Sequence, residues 1–137
     1  MDTYDLLYKI ELEEGNYFGS PFSKGHHQIM RFSIEHTDSL ELVNELKEFP
    51  PSYEQFDSLS NKLGNFVYIP TTCTQRLNLN TQNDFSVKGL IWFGINPDQQ
   101  PYAIDFEVFQ KSKALGVKVL EIAESDCPTF WDDKILV

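Results

Sequence analysis

Two consecutive prolines, Pro50-Pro51, interrupt the first half of the chain at a point where no helix can continue, because proline lacks a backbone N–H and its ring clashes with the preceding turn. Apolar residues on either side recur at helical spacing and predict one helix over 39–48 and a second over 52–64. The apolar positions are Leu40, Leu42, Val43, Leu46 and Phe49, then Phe56, Leu59 and Leu63, with Asp38, Glu41, Ser52, Gln55 and Gly64 as capping residues.

Elsewhere the apolar residues alternate with polar ones over short stretches, which is the period-2 pattern of half-buried strands. The turn residues Asn96-Pro97-Asp98 stand between 90–95, a buried strand by its apolar composition, and 102–108, an alternating stretch, and predict a hairpin. One or two helical turns are predicted over 110–115, and Phe130-Trp131 is predicted to be a terminal aromatic anchor. Further strands are predicted over 6–12, 30–34, 66–69 and 117–122, with a short edge strand over 76–79.

Length and composition favour a single domain comprising residues 1–137. With 137 residues, 41% hydrophobic and 14% aromatic, one core suffices to bury roughly two-thirds of the unfolded chain's surface. Together with the predicted elements, this indicates an α+β domain in which a mostly antiparallel mixed sheet is covered on one face by the helix pair.

The chain carries 21 acidic and 11 basic residues, for a formal net charge of -10. A surface this negative repels phosphate backbones and anionic lipid headgroups, so nucleic acid and membranes are excluded as expected partners. A basic protein would instead be attracted, and its association accelerated. The excess is uneven, since residues 1–60 carry a net charge of -8 and residues 61–137 a net charge of -2.

The compartment is predicted from the start of the chain and from its cysteines. The first residues are acidic where a secretory signal would be basic, and no long apolar run follows them. Cys73 and Cys127 belong to no metal-binding motif and are expected to be reduced thiols. These features favour a cytoplasmic protein.

The acidic residues of the predicted helices carry the functional hypothesis. At about 100° per residue, positions i, i+4 and i+7 of the first helix form a single carboxylate stripe. Like charges at this spacing destabilise a helix, so their presence favours a binding role. An aromatic side chain beside Pro50-Pro51 would supply the apolar centre of an interface. The predicted partner-binding residues are Glu41, Glu45 and Glu48 in the stripe, Glu54 and Asp57 on the second helix, Tyr53 as an anchor and Asp98 as a peripheral contact.

The sequence offers little support for catalysis or for a metal site. The histidines His26, His27 and His36 lack metal-ligand spacing, and adjacent residues on a strand point to opposite faces. Asp105 and Glu107 are the most enzyme-like pair, because residues two apart on a strand share a face and lie roughly 6.5 Å apart, near enough to share a divalent cation. A metal-dependent hydrolase using this pair is therefore an alternative, whereas the favoured hypothesis requires no cofactor and no metal.

The segment from Leu46 to Phe56, with Asn61-Lys62-Leu63-Gly64 after it, resembles the signature of the SUKH superfamily, in which a helix leads through a proline corner into a second helix. Downstream, residues 93–98 and 102–106 are similar to that family's glycine-containing strand, turn and returning strand with an aspartate. The resemblance implies an α+β domain. It also implies a function, because bacterial members mostly act as immunity proteins that bind and neutralise a toxin encoded beside them.

Charge, the lack of catalytic motifs and the resemblance together predict a cytoplasmic, non-enzymatic immunity protein. It would bind a basic cognate toxin domain, such as a nuclease, through its acidic surface. A DNA mimic that inhibits a defence nuclease is a further alternative, since it too would present carboxylates to a basic site. The mimic differs in its target and in requiring carboxylates spaced like phosphates along a ridge.

Overall fold

The computed structural model describes residues 2–22, 30–57, 61–96 and 100–126. In these ranges the regular secondary structure consists of β-strands alone. The same ranges hold no helix with the length and apolar character needed to span a bilayer. The strands are β1 (Asp2–Ile10), β2 (Phe18–Gly19), β3 (Arg31–Ile34), β4 (Leu40–Phe49), β5 (Glu54–Asp57), β6 (Lys62–Val67), β7 (Thr71–Leu79), β8 (Phe85–Phe93), β9 (Tyr102–Lys111) and β10 (Ala114–Glu124).

The strands form three antiparallel sheets. Sheet I has the order β1-β7-β4, sheet II the order β10-β9-β8-β3, and sheet III the order β2-β6-β5. The apolar sides of sheets I and II share one core, and Phe18 of sheet III pairs with Ile95 just beyond β8, which joins the third sheet to the second. The predicted α+β class is therefore wrong, because the described chain is all-β.

Aromatic rings connect the two large sheets across this core. The ring of Tyr8 in β1 stacks on the ring of Phe32 in β3, with centroids 5.9 Å apart, and the Phe106 ring of β9 lies at the same distance from Phe32. The central strand of sheet I, β7, alternates strictly between buried and more exposed residues, as expected for a strand with one covered face. Its core-facing residues are Thr71, Cys73, Gln75, Leu77 and Leu79.

The predicted helix over 39–48 is wrong, because this segment forms β4, a strand with a bulge at its middle. Three residues, 44–46, stand opposite the single residue Gln75 of β7. Asn44 has a left-handed backbone conformation (φ 65°), which asparagine tolerates better than most residues. The buried Gln75 amide fills the bulge by donating to the carbonyl oxygens of Val43 and Asn44, at 3.4 and 3.3 Å.

The apolar pattern of β4 resembles a helix for a physical reason. Two of the positions that alternation assigns to the core hold polar residues, Asn44 in the bulge and Glu48 near the strand's end. Two apolar residues, Val43 and Phe49, occupy positions on the opposite side, and Phe49 is 75% exposed. These polar residues at core positions and apolar residues at outer positions obscure the strand's period of two. The remaining apolar spacings approximate the 3.6-residue period of a helix.

The predicted helix over 52–64 is also wrong, and the hairpin of β5 and β6 takes its place in sheet III. Phe56 and Leu63, which a helix would place on one face, form a cross-strand pair in this hairpin. Pro50-Pro51 ends strand β4 rather than a helix, since proline also removes a donor from a strand ladder.

Most of the predicted strands are confirmed. The predicted hairpin of 90–95 and 102–108 corresponds to β8 and β9, and every residue of β8 has a partner on β9. Residues 76–79 belong to the central strand β7 rather than to an edge, and 110–115 contain a tight turn instead of helical turns, with Ser112 and Lys113 at positive φ. The predictions for 6–12, 30–34, 66–69 and 117–122 overlap β1, β3, β6 and β10, and Phe130-Trp131 lies outside the described residues.

Gly89 in β8 is predicted to tolerate no larger residue. A Cβ atom at this position would overlap the ring of its cross-strand neighbour Phe106, which is buried in the core. Gly89→Ala should therefore lower the free energy of unfolding by about 1–3 kcal/mol, as overpacked cores do. Urea denaturation measures the loss. Gly116→Ala, where the added Cβ would lie 2.8 Å from the Phe109 ring tip, should cost less, and equal losses would contradict the prediction.

Candidate functional site

A groove of about 520 Å³ opens where β4 ends. It is lined by residues 50–55, which lead from β4 into β5, and by residues 66–69 at the end of β6. Thr71, the first residue of β7, also lines it. The groove therefore lies at the junction of sheets I and III.

Large apolar side chains are exposed on the segments that form and border this groove. Tyr53, in the lining, is 76% exposed, and Phe49, directly before the prolines, is 75% exposed. Scattered exposed apolar residues are ordinary, but their concentration on neighbouring segments is typical of an interaction site. We call the six side chains of this group the groove face: Phe49, Tyr53, Phe56, Leu63, Tyr68 and Ile69, all more than half exposed.

The carboxylate of Glu48 holds the loop that forms the groove. Its Oε1 accepts hydrogen bonds from the backbone N–H and the hydroxyl of Ser52, at 2.8 and 2.7 Å. Its Oε2 accepts a hydrogen bond from the hydroxyl of Ser20, at 2.6 Å, and the Ser20 side chain is fully buried beside β2. The three bonds tie the segment after Pro50-Pro51 to the rest of the protein, since hydrogen bonds to a carboxylate are stronger than neutral ones.

Glu48 lies beside two buried polar groups, the Cys73 thiol and the Tyr8 hydroxyl. It pairs with Cys73 of β7, whose other neighbour is Tyr8 of β1. Among the described residues the buried Tyr8 hydroxyl has no nitrogen or oxygen partner. Burial is the main cause that raises the pKa of the Cys73 thiol to about 12 and the pKa of Tyr8 well above its usual range, and the Glu48 charge adds to both shifts. Thiol and phenol therefore stay protonated at neutral pH.

The other side of the groove is supported by amides and by an aromatic cluster. The Asn65 side chain donates to the Ser52 carbonyl at 3.3 Å, and the Gln55 side chain donates to the Phe66 carbonyl at 3.3 Å. The ring of buried Tyr17 meets the rings of Phe66 and Tyr68, with centroids 5.4 and 5.0 Å apart. The groove is therefore held on both sides by contacts that fix its shape.

The predicted carboxylate stripe is wrong, because a helix is needed to align its members. Glu41 lies on the outer side of sheet I beside Asn78, which donates to it at 3.5 Å. Glu45 is exposed in the bulge, and Glu48 forms the bonds to Ser20 and Ser52. Glu41 stands six β7 residues, or about 20 Å, from the end of β4 that borders the groove.

Two of the predicted partner-binding residues, Tyr53 and Glu54, line the groove together. The side chain of Asp57 and all of Asp98 lie outside the described part of the chain. Sequence reasoning missed Phe49, Tyr68 and Ile69 because it assigned them to the helix face and to a strand. Their signal was proximity to Pro50-Pro51 and to the proline at position 70, which end strands and leave nearby apolar residues uncovered.

The enzyme-like pair lies on sheet II, away from the groove. Asp105 and Glu107 sit two residues apart on β9. Glu107 stands between Lys88 of β8 and Lys118 of β10, so neighbouring strands place two positive charges beside it. In the ranges that the structure describes, no three His, Cys, Asp or Glu side chains converge to hold a metal ion.

The histidines add no second site. His36 is exposed and, with Glu35, Asp38 and Glu41, lines a more polar groove of about 750 Å³ between β3 and β4. This groove has none of the exposed large apolar side chains that surround the first one. His26 and His27 lie outside the described residues.

Comparison with known proteins finds no matching protein family, curated protein or solved structure. The segment that carries the SUKH resemblance is β4, the Pro50-Pro51 corner and β5, rather than a pair of helices. The relationship to that superfamily therefore stays a prediction.

Glu48→Ala should destabilise the protein by about 2 kcal/mol or more, because it removes the acceptor of three hydrogen bonds and leaves the buried Ser20 hydroxyl without it. Glu48→Gln keeps the shape and one carbonyl acceptor, so it should lose less than half as much. Denaturant unfolding of the two variants measures the difference. Equal losses would mean that packing, rather than hydrogen bonding, holds the loop.

Cys73 is predicted to be inert in the folded protein, because it is fully buried and its pKa is raised to about 12. In a Cys127→Ser background, a disulfide reagent at mildly alkaline pH should react with Cys73 only as fast as the protein opens. The same reagent should react at once and stoichiometrically in denaturant. Immediate reaction of the folded protein would show that the Tyr8–Cys73 group is open to solvent.

Proposed function

We propose that this protein binds and neutralises a basic partner protein, in the manner of a bacterial immunity protein, and that the groove face is the centre of contact. The observation that carries the proposal is the concentration of six large exposed apolar side chains on the segments around one groove. Aromatic side chains of this kind dominate the energy of protein interfaces when a partner covers them. The partner would be a cognate toxin domain in the cytoplasm, where this inhibitor would act.

The geometry favours a protein over a small molecule as the ligand. Phe49, Tyr53 and Phe56 are each more than half exposed, so most of their surface points outward rather than enclosing a cavity. Small-molecule sites instead bury most of the ligand among their lining residues. The hydrogen bonds of Glu48 fix the loop in advance, which lowers the entropy lost on binding.

Charge has a different role from the one that the predicted helices suggested. The net charge of -10 acts over the whole molecule and attracts a cationic partner before contact. Near the groove, Glu54 in the lining and Glu45 in the bulge are exposed. Carboxylates at the rim of an interface mainly set the rate of encounter, while the apolar side chains set the lifetime of the complex.

The test uses the basic C-terminal domain of a secreted protein encoded beside this chain. Co-expression with the intact chain should restore growth of cells that make that domain. Tyr53→Ala combined with Phe56→Ala should weaken binding roughly 100-fold in calorimetry, since truncating interface aromatics costs about 2 kcal/mol or more. Leu7→Ala, on the outer side of β1 and 60% exposed, is the control and should bind normally. Unchanged affinity of the double variant, or no protection from the domain, would refute the proposal.

A pair of charge variants separates local from overall attraction. Glu45→Lys with Glu54→Lys changes the net charge as much as Asp38→Lys with Glu41→Lys, but the second pair lies at the far end of sheet I. The first pair should slow association more strongly at low salt, in stopped-flow measurements, because Glu54 lines the groove and Glu45 lies nearer to it than Asp38 and Glu41 do. Equal slowing by both pairs would contradict docking at the groove.

A further inference from the structure

A second surface, independent of the groove, lies along the last described strand. β10 stands at the end of sheet II and pairs only with β9 among the described strands, so one side of its backbone ladder is open. Proteins normally protect such an edge with charges, prolines or a covering loop. Here four large aliphatic side chains are 44–63% exposed along it: Val117, Val119, Leu120 and Ile122.

A bulge divides β10 into two halves. Val119 pairs with Phe106 and Glu121 with Asp105, so Leu120 is an extra residue without a partner of its own on β9. One inserted residue reverses the alternation of side chains beyond it. Two residues on opposite sides of Leu120 therefore share a face when their numbers differ by an odd number, as those of Val119 and Ile122 do.

Two faces of β10 follow from its register with β9. On the side of the core-facing residues of β9 lie Val117, Val119 and Ile122, which pair with Val108, Phe106 and Ile104. On the opposite side lie Lys118 and Glu121, which pair with Glu107 and Asp105. The strand therefore carries an apolar row on one face and one charge of each sign on the other.

We infer that β10 pairs antiparallel with β10 of a second copy of this chain, about a two-fold axis between Val119 and Leu120. This register places Lys118 opposite the partner subunit's Glu121, and Glu121 opposite the partner subunit's Lys118. On the other face, Val117 meets the partner subunit's Ile122. In this register residues of the apolar face lie opposite residues of the apolar face, and residues of the charged face lie opposite residues of the charged face. The reason is that each copy has the same reversal of alternation at Leu120.

Other two-fold registers fit less well. An axis through Lys118 or through Glu121 would place like charges directly opposite one another, which destabilises a strand pair. Beyond the bulge, such registers would also set core-facing residues against residues of the outer face. The register centred on the bulge is therefore the one that the charges and the faces both select.

The backbone agrees with this register. β10 begins after a two-residue turn, so alternation from Ala114 directs the N–H and C=O groups of Val117 to the open edge. At the other end the backbone N–H of Ser125 donates to the Pro101 carbonyl and so faces β9. Counting back from Ser125, alternate residues face β9 and the open edge, so the N–H and C=O groups of Ile122 face the open edge. Val117 and the partner subunit's Ile122 thus have the backbone groups needed to exchange two hydrogen bonds.

The experiment exploits the reciprocity of the two charge pairs. The full chain should sediment as a concentration-dependent dimer over a roughly hundredfold dilution series. Lys118→Glu alone and Glu121→Lys alone should each weaken dimerisation roughly tenfold or more, because each places two like-charged pairs at the interface. An equimolar mixture of the two variants should form a heterodimer more readily than either variant forms a homodimer, and the double variant should regain wild-type dimerisation.

Each other outcome overturns the inference. A wild-type chain that stays monomeric over the whole series would show that the edge is not an interface between copies. A dimer that neither single variant weakens, or a mixture that forms no heterodimer, would show that the copies meet elsewhere or in another register. Lys9→Glu, on β1 of sheet I, is the matched control and should dimerise like the wild type. Groove variants should also leave dimerisation unchanged.

Discussion

The bulge in β4, filled by the Gln75 amide, is the constraint on which the candidate site depends. Its two extra residues displace the second half of β4 along β7, so that Glu48, rather than Leu46, pairs with Cys73. From that position the Glu48 carboxylate reaches the hydroxyls of Ser20 and Ser52. The loop after the prolines takes its place from these bonds, and the groove takes its lining from the loop. A polar residue that fills a backbone defect in one strand thus determines the shape of a surface several residues away.

How much was predictable depended on which contacts each residue makes. Strands β1 and β9 were recognised because their apolar residues alternate with polar ones, and β8 because its second half is a continuous apolar run. β7 was missed as a central strand because two of its core-facing residues, Thr71 and Gln75, are polar. Thr71 donates to the nearby Ile69 carbonyl, and Gln75 donates to the Val43 carbonyl of β4. The local sequence pattern does not reveal these partners. Tyr53 was selected for its place beside the prolines, and that reasoning needed no secondary structure. The carboxylate stripe depended entirely on helical geometry and failed with it.

The molecule divides its possible contacts between different sheets. The groove lies where sheets I and III meet, whereas the open strand edge belongs to sheet II. The two surfaces share no residue. A dimer through β10 would carry two grooves and twice the negative charge, so each copy would bind a cationic partner in a stronger field than it generates alone.

The exposed edge of β10 also bears on how the chain behaves before it has found any partner. A strand with one open edge and aliphatic side chains on one face is a template for non-specific strand pairing, the first step of aggregation. The bulge at Leu120 and the charge of Lys118 restrict that pairing to a partner strand whose faces and charges match. While the chain is being synthesised among other proteins, this strand would therefore be more prone to mispair than strands buried in the core.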